Sequence, residues 1–284
     1  MAKTNRRLFI KTAGTGLLAS ALIPSVSAME FTENTRASAF KPWKLKLGLA
    51  SYTTREFSLD DTIKICVRMG LKYIGLKSMH LPLTATPAEC QSVVEKMKSA
   101  GLEFYSVGVI YLNTKEEVDQ AFSYAKSAGV KIINSSPAES QLQYINDKVQ
   151  KEDIQLSIHN HGPGDKLNPT VPSIYEKIAK LDQRIGICMD IGHTVRLKRD
   201  PILDFNNCFD RIIDMHIKDV DKAEAEGDTI EMGRGVIDLP AFVRNLVTKQ
   251  YKGVAAFEHE KDGKDPVPGL AESVGYMKGI MASI

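Results

Sequence analysis

Four short segments of this chain gather imidazoles and carboxylates where apolar runs end. They are Ser157-Ile158-His159-Asn160-His161-Gly162, Cys188-Met189-Asp190-Ile191-Gly192-His193, Met215-His216-Ile217-Lys218-Asp219 and Phe257-Glu258-His259-Glu260. Five of the six histidines lie in them, and the sixth, His80, follows another apolar run. Imidazole nitrogens and carboxylate oxygens together make a metal donor set. Two or three nitrogens with two carboxylates suit Mn, Fe, Co, Ni or Zn better than Ca, which takes oxygen ligands. No single histidine carries this reading. It requires the four segments to converge, and so depends on the elements that end in them.

Those elements repeat. A short apolar run is followed by polar residues, an amphipathic helical pattern, a glycine and the next run. The junctions Met69-Gly70-Leu71, Ala100-Gly101-Leu102 and Ala128-Gly129-Val130 place their glycines 31 and 28 residues apart. Glycine just after a helix can take positive φ and close the last turn. A period near 30 is the size of one βα unit. The strands read as Lys46–Ala50, Tyr73–Lys77, Phe104–Val109, Lys131–Asn134, Ile154–His159, Ile185–Asp190, Ile212–His216 and Val254–Glu258. Helical patterns lie between them, among them Thr86–Ala100, Lys115–Ala128, Ser173–Leu181 and Leu239–Gln250. Eight alternating units predict an α/β protein, a single (β/α)8 TIM barrel. No glycine-rich phosphate fingerprint follows the first strand, which argues against a doubly wound dinucleotide-binding sheet. In such a barrel, chemistry sits where strands end and βα loops begin.

Composition agrees with one soluble domain: 284 residues, 43% hydrophobic, 25% charged. A net charge of +2 gives no reason to expect nucleic acid or an anionic membrane as partner. The N-terminus reads Asn5-Arg6-Arg7-Leu8-Phe9-Ile10-Lys11, then an apolar stretch from Thr12 to Ile23, then Val26-Ser27-Ala28. Paired arginines before a short apolar segment and small residues look like a twin-arginine export signal. We therefore expect a signal peptide at 1–28, a linker at 29–43 and the barrel at 44–284. The expected location is periplasmic, with no stable membrane insertion after cleavage; self-assembly into a homo-oligomer is left open. Cys66, Cys90, Cys188 and Cys208 match no metal-knuckle spacing and read as buried free thiols.

From Leu45 to Ile284 the sequence resembles the xylose-isomerase-like TIM barrels: sugar isomerases, keto-sugar epimerases, inosose dehydratases and endonuclease IV. Met189-Asp190-Ile191-Gly192-His193, His216-Ile217-Lys218-Asp219, Gly233-Arg234-Gly235-Val236-Ile237-Asp238 and Phe257-Glu258 carry that resemblance. It implies a divalent metal held by Asp190, His216, Glu258 and one residue of the fifth strand. Epimerases of the family carry Glu there, as half of a two-base pair with the Glu of the eighth strand, whereas this chain has His159. That exchange keeps a metal ligand and removes one base, which favours one-base chemistry. Lys77 also stands where many relatives carry Glu. Glu258, His159 and Lys77 are thus the candidate catalytic groups. His161, His193, Lys218 and His80 are the expected substrate contacts.

The resemblance implies proton abstraction beside a carbonyl of a sugar. An exported enzyme meets free sugars, oxidised sugars or glycosides rather than sugar phosphates. The expectation is therefore a metal-dependent lyase that expels the C1 substituent of a 3-keto-glycoside. An isomerase or epimerase of a free keto-sugar is the alternative, and a sugar-binding barrel without catalysis a remote third. Phosphodiester cleavage needs a basic nucleic-acid face that this near-neutral chain does not announce.

Overall fold

The computed structural model describes residues 44–284. The expected export signal and linker lie outside the described residues. Eight parallel strands alternate with helices around a closed barrel. They are β1 (Lys46–Ala50), β2 (Tyr73–Leu76), β3 (Glu103–Leu112), β4 (Ile132–Pro137), β5 (Gln155–His159), β6 (Ile185–Asp190), β7 (Ile212–Ile217) and, after a small antiparallel hairpin of β8 (Asp219–Val220) with β9 (Thr229–Ile230), β10 (Val254–Phe257). Barrel closure comes from β10, which pairs with both β1 and β7.

Helices form where the apolar spacing asks for them. In α3 (Lys115–Ser127), Val118, Ala121, Phe122 and Ala125 recur on one face and are buried. Withdrawing the Val118 and Phe122 side chains from water contributes roughly 1.5–3 kcal/mol each. Helix α3 starts on a capping box between Thr114 and Glu117, and α2 (Pro87–Ser99) on one between Thr86 and Glu89. The junction glycines Gly70, Gly101 and Gly129 take φ of +63°, +74° and +66°, as their place after helices predicts. All four cysteines are buried free thiols.

Three local differences from the sequence reading matter for function. Strand β3 runs on to Leu112, past the expected end at Val109, with a register shift between Val107 and Ile110. A short helix, α6 (Ile191–Arg196), begins directly off β6. The β8–β9 hairpin extends from β7 at the same end of the barrel, where the sequence reading placed only a loop.

Inside the barrel lies a polar layer. The Asp214 carboxylate accepts 3.2 Å hydrogen bonds from Tyr105 Oη and a 2.7 Å bond from Asn134 Nδ2. Ser157 Oγ in turn donates to Asn134 Oδ1. Burial pushes the Asp214 carboxyl up from its ordinary range.

Candidate metal centre

Each chemical side chain is held by its own strand end. Asp190 is the last residue of β6 and also caps α6: its Oδ1 accepts the His193 N–H at 2.8 Å. Asn160, just past β5, fixes the Asp190 backbone from both sides, accepting its N–H at 2.8 Å and donating to its carbonyl at 3.2 Å. With Oδ1 engaged in the cap, Asp190 presents Oδ2 to the barrel axis. Glu258 follows β10 and donates its N–H to Ile217 O on β7 at 3.1 Å. Thr53, after β1, bridges Phe257 O and His259 N and so pins that strand end.

Four ligand atoms converge. One atom each from His159, Asp190, His216 and Glu258 lies within 4.8 Å of all the others, and all four residues are buried. His159 Nε2 is 3.0 Å from His216 Nδ1, 3.6 Å from Asp190 Oδ2 and 4.0 Å from Glu258 Oε2. His216 Nδ1 is 3.2 Å from Glu258 Oε2. Cys188 Sγ lies close to the same two imidazoles, but burial pushes its thiol well up, away from the thiolate that binds metals.

Protonation states favour a cation here. Burial holds His159 well below the usual imidazole range, so its ring is neutral and keeps a lone pair. For Asp190, burial alone would raise the carboxyl, but the opposing charges of His193 and Lys218 outweigh it and keep it ionised. Glu258 likewise stays ionised against burial, through His216, Lys77 and Lys218. Asp190 Oδ2 and Glu258 Oε1 are buried, and the charged groups nearest them are Lys218 and Lys77, each at 3.0 Å. Two imidazoles and two ionised carboxylates whose donor atoms converge on one point fit a divalent transition metal.

Two lysines border the cluster. Lys218 Nζ lies 3.0 Å from Asp190 Oδ2 and 3.1 Å from Glu258 Oε2, and donates to Glu260. Burial would lower this ammonium, yet the three carboxylates hold it well above the ordinary lysine range. Its stem crosses Gly192, where an added Cβ would meet Lys218 Cγ at 2.4 Å. Lys77 Nζ sits 3.0 Å from Glu258 Oε1 and over the Tyr52 ring.

A residue-55-to-280 match to the model of the xylose isomerase-like TIM barrels covers most of the chain. The chain belongs to that family. Among curated proteins it is similar to the rhizopine catabolism protein MocC of Rhizobium meliloti, 27% identical over 144 residues. That match covers 44% of this chain and 41% of the relative, so the chain spans less than half the length of the curated protein it matches. Among solved structures, an uncharacterised protein of Parabacteroides distasonis is 25% identical, with a TM-score of 0.65 over 83% of this chain and 98% of the other. The 3-keto-D-glucoside 4-epimerase of E. coli superposes with a TM-score of 0.68 at 14% identity, over 83% of this chain and the whole of that one. At that identity the likeness speaks for the fold.

Of the four expected substrate contacts, Lys218 is buried in its ion pairs and does not line the cleft, and the other three fall into two groups. His161 and His193 line a cleft of about 320 Å³ with His159, Lys77 and Glu258. His161 Nδ1 is 3.0 Å from Asp165 Oδ2, and its ring stacks on Tyr111 at 6.0 Å between centroids. Burial lowers His193 to about 4. His80 is a correction. It is buried away from the cleft, with Nδ1 3.0 Å from Ser51 Oγ and Nε2 3.1 Å from Thr62 Oγ1. Ser51 Oγ also accepts the Lys77 N–H at 2.8 Å, so His80 positions the loops after β1 and β2 and does not face substrate.

Sequence reasoning missed Tyr52, Tyr111 and Glu260 in the cleft, and Asn160 behind it. It also left the Gly-x-Gly-x-x-Asp segment without a mechanism. The Asp219 carboxylate accepts the N–H groups of Val220, Gly233, Gly235 and Ile237 at 2.9–3.2 Å. A Cβ on Gly235 would stand 2.2 Å from Asp219 Oδ1, so the loop closes on that carboxylate only with glycine. Asp219 thereby fixes the chain next to Lys218.

Proposed function

We propose that the protein is a metal-dependent sugar lyase that eliminates the C1 substituent of a 3-keto-glycoside. The observation that carries this reading is the asymmetry of the cluster. Glu258 is the ionised carboxylate that faces both the cation position and the cleft, and a neutral imidazole, His159, stands across from it. One base on one face suits elimination better than the two-face exchange of an epimerase.

A divalent cation held by His159, Asp190, His216 and Glu258 would polarise the ketone and so acidify the neighbouring C–H. Glu258 offers Oε2 toward the two imidazoles and presents Oε1, ion-paired with Lys77 at 3.0 Å, for the proton. Glu258 takes the C2 proton. The C–H electron pair becomes the C1–C2 double bond as the C1–O bond breaks, and the departing oxygen takes a proton. Burial lowers His161, so its neutral ring, beside Asp165 and lining the cleft, relays a proton from solvent to that oxygen. Lys77, 3.0 Å from Glu258 Oε1, is the rival base. The export signal expected from the sequence supports free glycosides over sugar phosphates as substrates.

Metal-loaded protein incubated with a 3-keto-glucoside in heavy water should release the aglycone and an unsaturated keto-sugar, followed by NMR. Deuterium uptake with epimer formation from a free keto-sugar, and no aglycone release, would replace the lyase with the epimerase. Purified protein that retains no metal and turns over neither substrate would leave a sugar-binding barrel.

A further inference from the structure

A second cavity shares a lining residue with the cleft. Its volume is about 470 Å³, within the roughly 300–1,000 Å³ of small-molecule pockets. Arg196 of α6, Asp221, Asp228 and Thr229 of the β8–β9 hairpin, and Glu260 and Lys261 after β10 line it. Glu260 belongs to both cavities. Arg196 links the two as well, since its Nη1 lies 3.4 Å from Nδ1 of the cleft residue His193. Lys218, which touches Asp190 and Glu258, also donates to Glu260, the residue common to both cavities.

The lining is polar but not cationic in effect. The Arg196 guanidinium is engaged with Ala225 O through Nε and Nη2 at 3.2 and 2.6 Å. Lys261 Nζ is engaged with Glu231 at 2.9 and 3.0 Å. Three carboxylates then face two paired cations, which repels a phosphate, sulfate or carboxylate. Carboxylates, a hydroxyl and guanidinium edges spaced around one cavity instead match the alternating donors and acceptors of a neutral, hydroxylated ring.

We propose that this cavity is the leaving-group subsite, and that it takes an uncharged polyhydroxylated group: a second sugar ring, as in a 3-keto-disaccharide. This rests on the lyase reading above for what the bound group does, though not for the existence of the site.

The test uses metal-loaded full-length protein and two variants outside the metal cluster, Thr229→Trp to fill the cavity and Asp228→Ala to remove an acceptor. With a 3-keto-disaccharide, kcat/KM should fall about tenfold or more in Thr229→Trp, which is about 1.4 kcal/mol. With a 3-keto methyl glucoside it should stay within about twofold, because a methyl group does not reach the subsite. Independently of turnover, ligand-observed NMR with free glucose should show binding to the wild type and to Tyr111→Ala in the cleft. That binding should be lost in Thr229→Trp and weakened in Asp228→Ala. If neither keto-glycoside is cleaved yet glucose binding still depends on Thr229, the lyase reading fails and the subsite stands. Glucose binding unchanged in both variants, or lost only in Tyr111→Ala, overturns the subsite. Should Thr229→Trp fail to fold, Asp228→Ala decides the matter in the same direction.

Discussion

Two layers of buried carboxylate sit on neighbouring inward positions of the barrel, and they behave in opposite ways. Asp214 and His216 are two residues apart on β7 and share its inner face, roughly 7 Å from one another along the strand. In the lower layer, neutral donors from Tyr105 and Asn134 satisfy Asp214, and burial raises its carboxyl. In the upper layer, imidazoles and lysines keep Asp190 and Glu258 ionised, with Lys218 3.0 Å from Asp190 Oδ2 and Lys77 3.0 Å from Glu258 Oε1. Equal burial therefore does not mean equal purpose. A carboxylate closed by neutral donors is a packing element, whereas two held charged beside a pair of imidazoles form a candidate site.

The largest effect that would test this contrast is at Glu258. Glu258→Gln should cost turnover about 10²–10⁴-fold, with loss of solvent exchange at the substrate carbon. Lys77→Met is its counterpart, keeping length and removing the amine. If Lys77→Met retains metal and abolishes exchange while Glu258→Gln still exchanges, the base is Lys77.

Asp214→Asn probes the lower layer. The added NH₂ meets existing donors, so urea unfolding should show a loss of about 1–3 kcal/mol. Metal content and turnover should stay within about twofold. Loss of metal in this variant would merge the two layers into one functional unit and erase the distinction.

The smallest expected effect is on acid stability without metal. His193 is lowered from 6.5 to about 4, and His159 is lowered too, by burial in both cases. The unfolded chain then binds more protons between about pH 6.5 and pH 4, so stability is full above that window and falls as pH drops through it. His193 alone should account for about 2 kcal/mol by pH 5. Melting of chelator-treated protein at pH 7 and pH 5 reads this directly, and Asp214→Asn should leave the difference between the two pH values unchanged. A flat profile would mean that His193 is solvated and not part of the enclosed upper layer.

The upper layer was legible in the sequence because its residues end apolar runs: a charged or imidazole side chain after Val254–Phe257 or Ile185–Met189 has to stand at a strand end. Asp214 was not, since a carboxylate inside the run Ile212–His216 gives no sign of which neutral partners close it. His80 misled for the converse reason. It follows a strand as the others do, but Ser51 and Thr62, distant in sequence, turn it away from the cleft. Tyr111 was lost when the strand was stopped at Val109, where Gly108 interrupts the apolar pattern although pairing resumes at Ile110. The hairpin and its cavity had no sequence signal, because Val220 to Ile230 is mostly polar and reads as an ordinary loop.

The Asp219 clasp has a consequence for how this molecule can change over generations. Its four backbone bonds tie the chain beside Lys218 to Gly233, Gly235 and Ile237, so both ends of the intervening excursion are anchored on one carboxylate. Between those anchors, residues 221–228 are held at Ala225 O, which accepts from Arg196. Substitutions there change the lining of the second cavity at Asp221 and Asp228 and leave the Asp219 clasp in place beside the strand that carries His216.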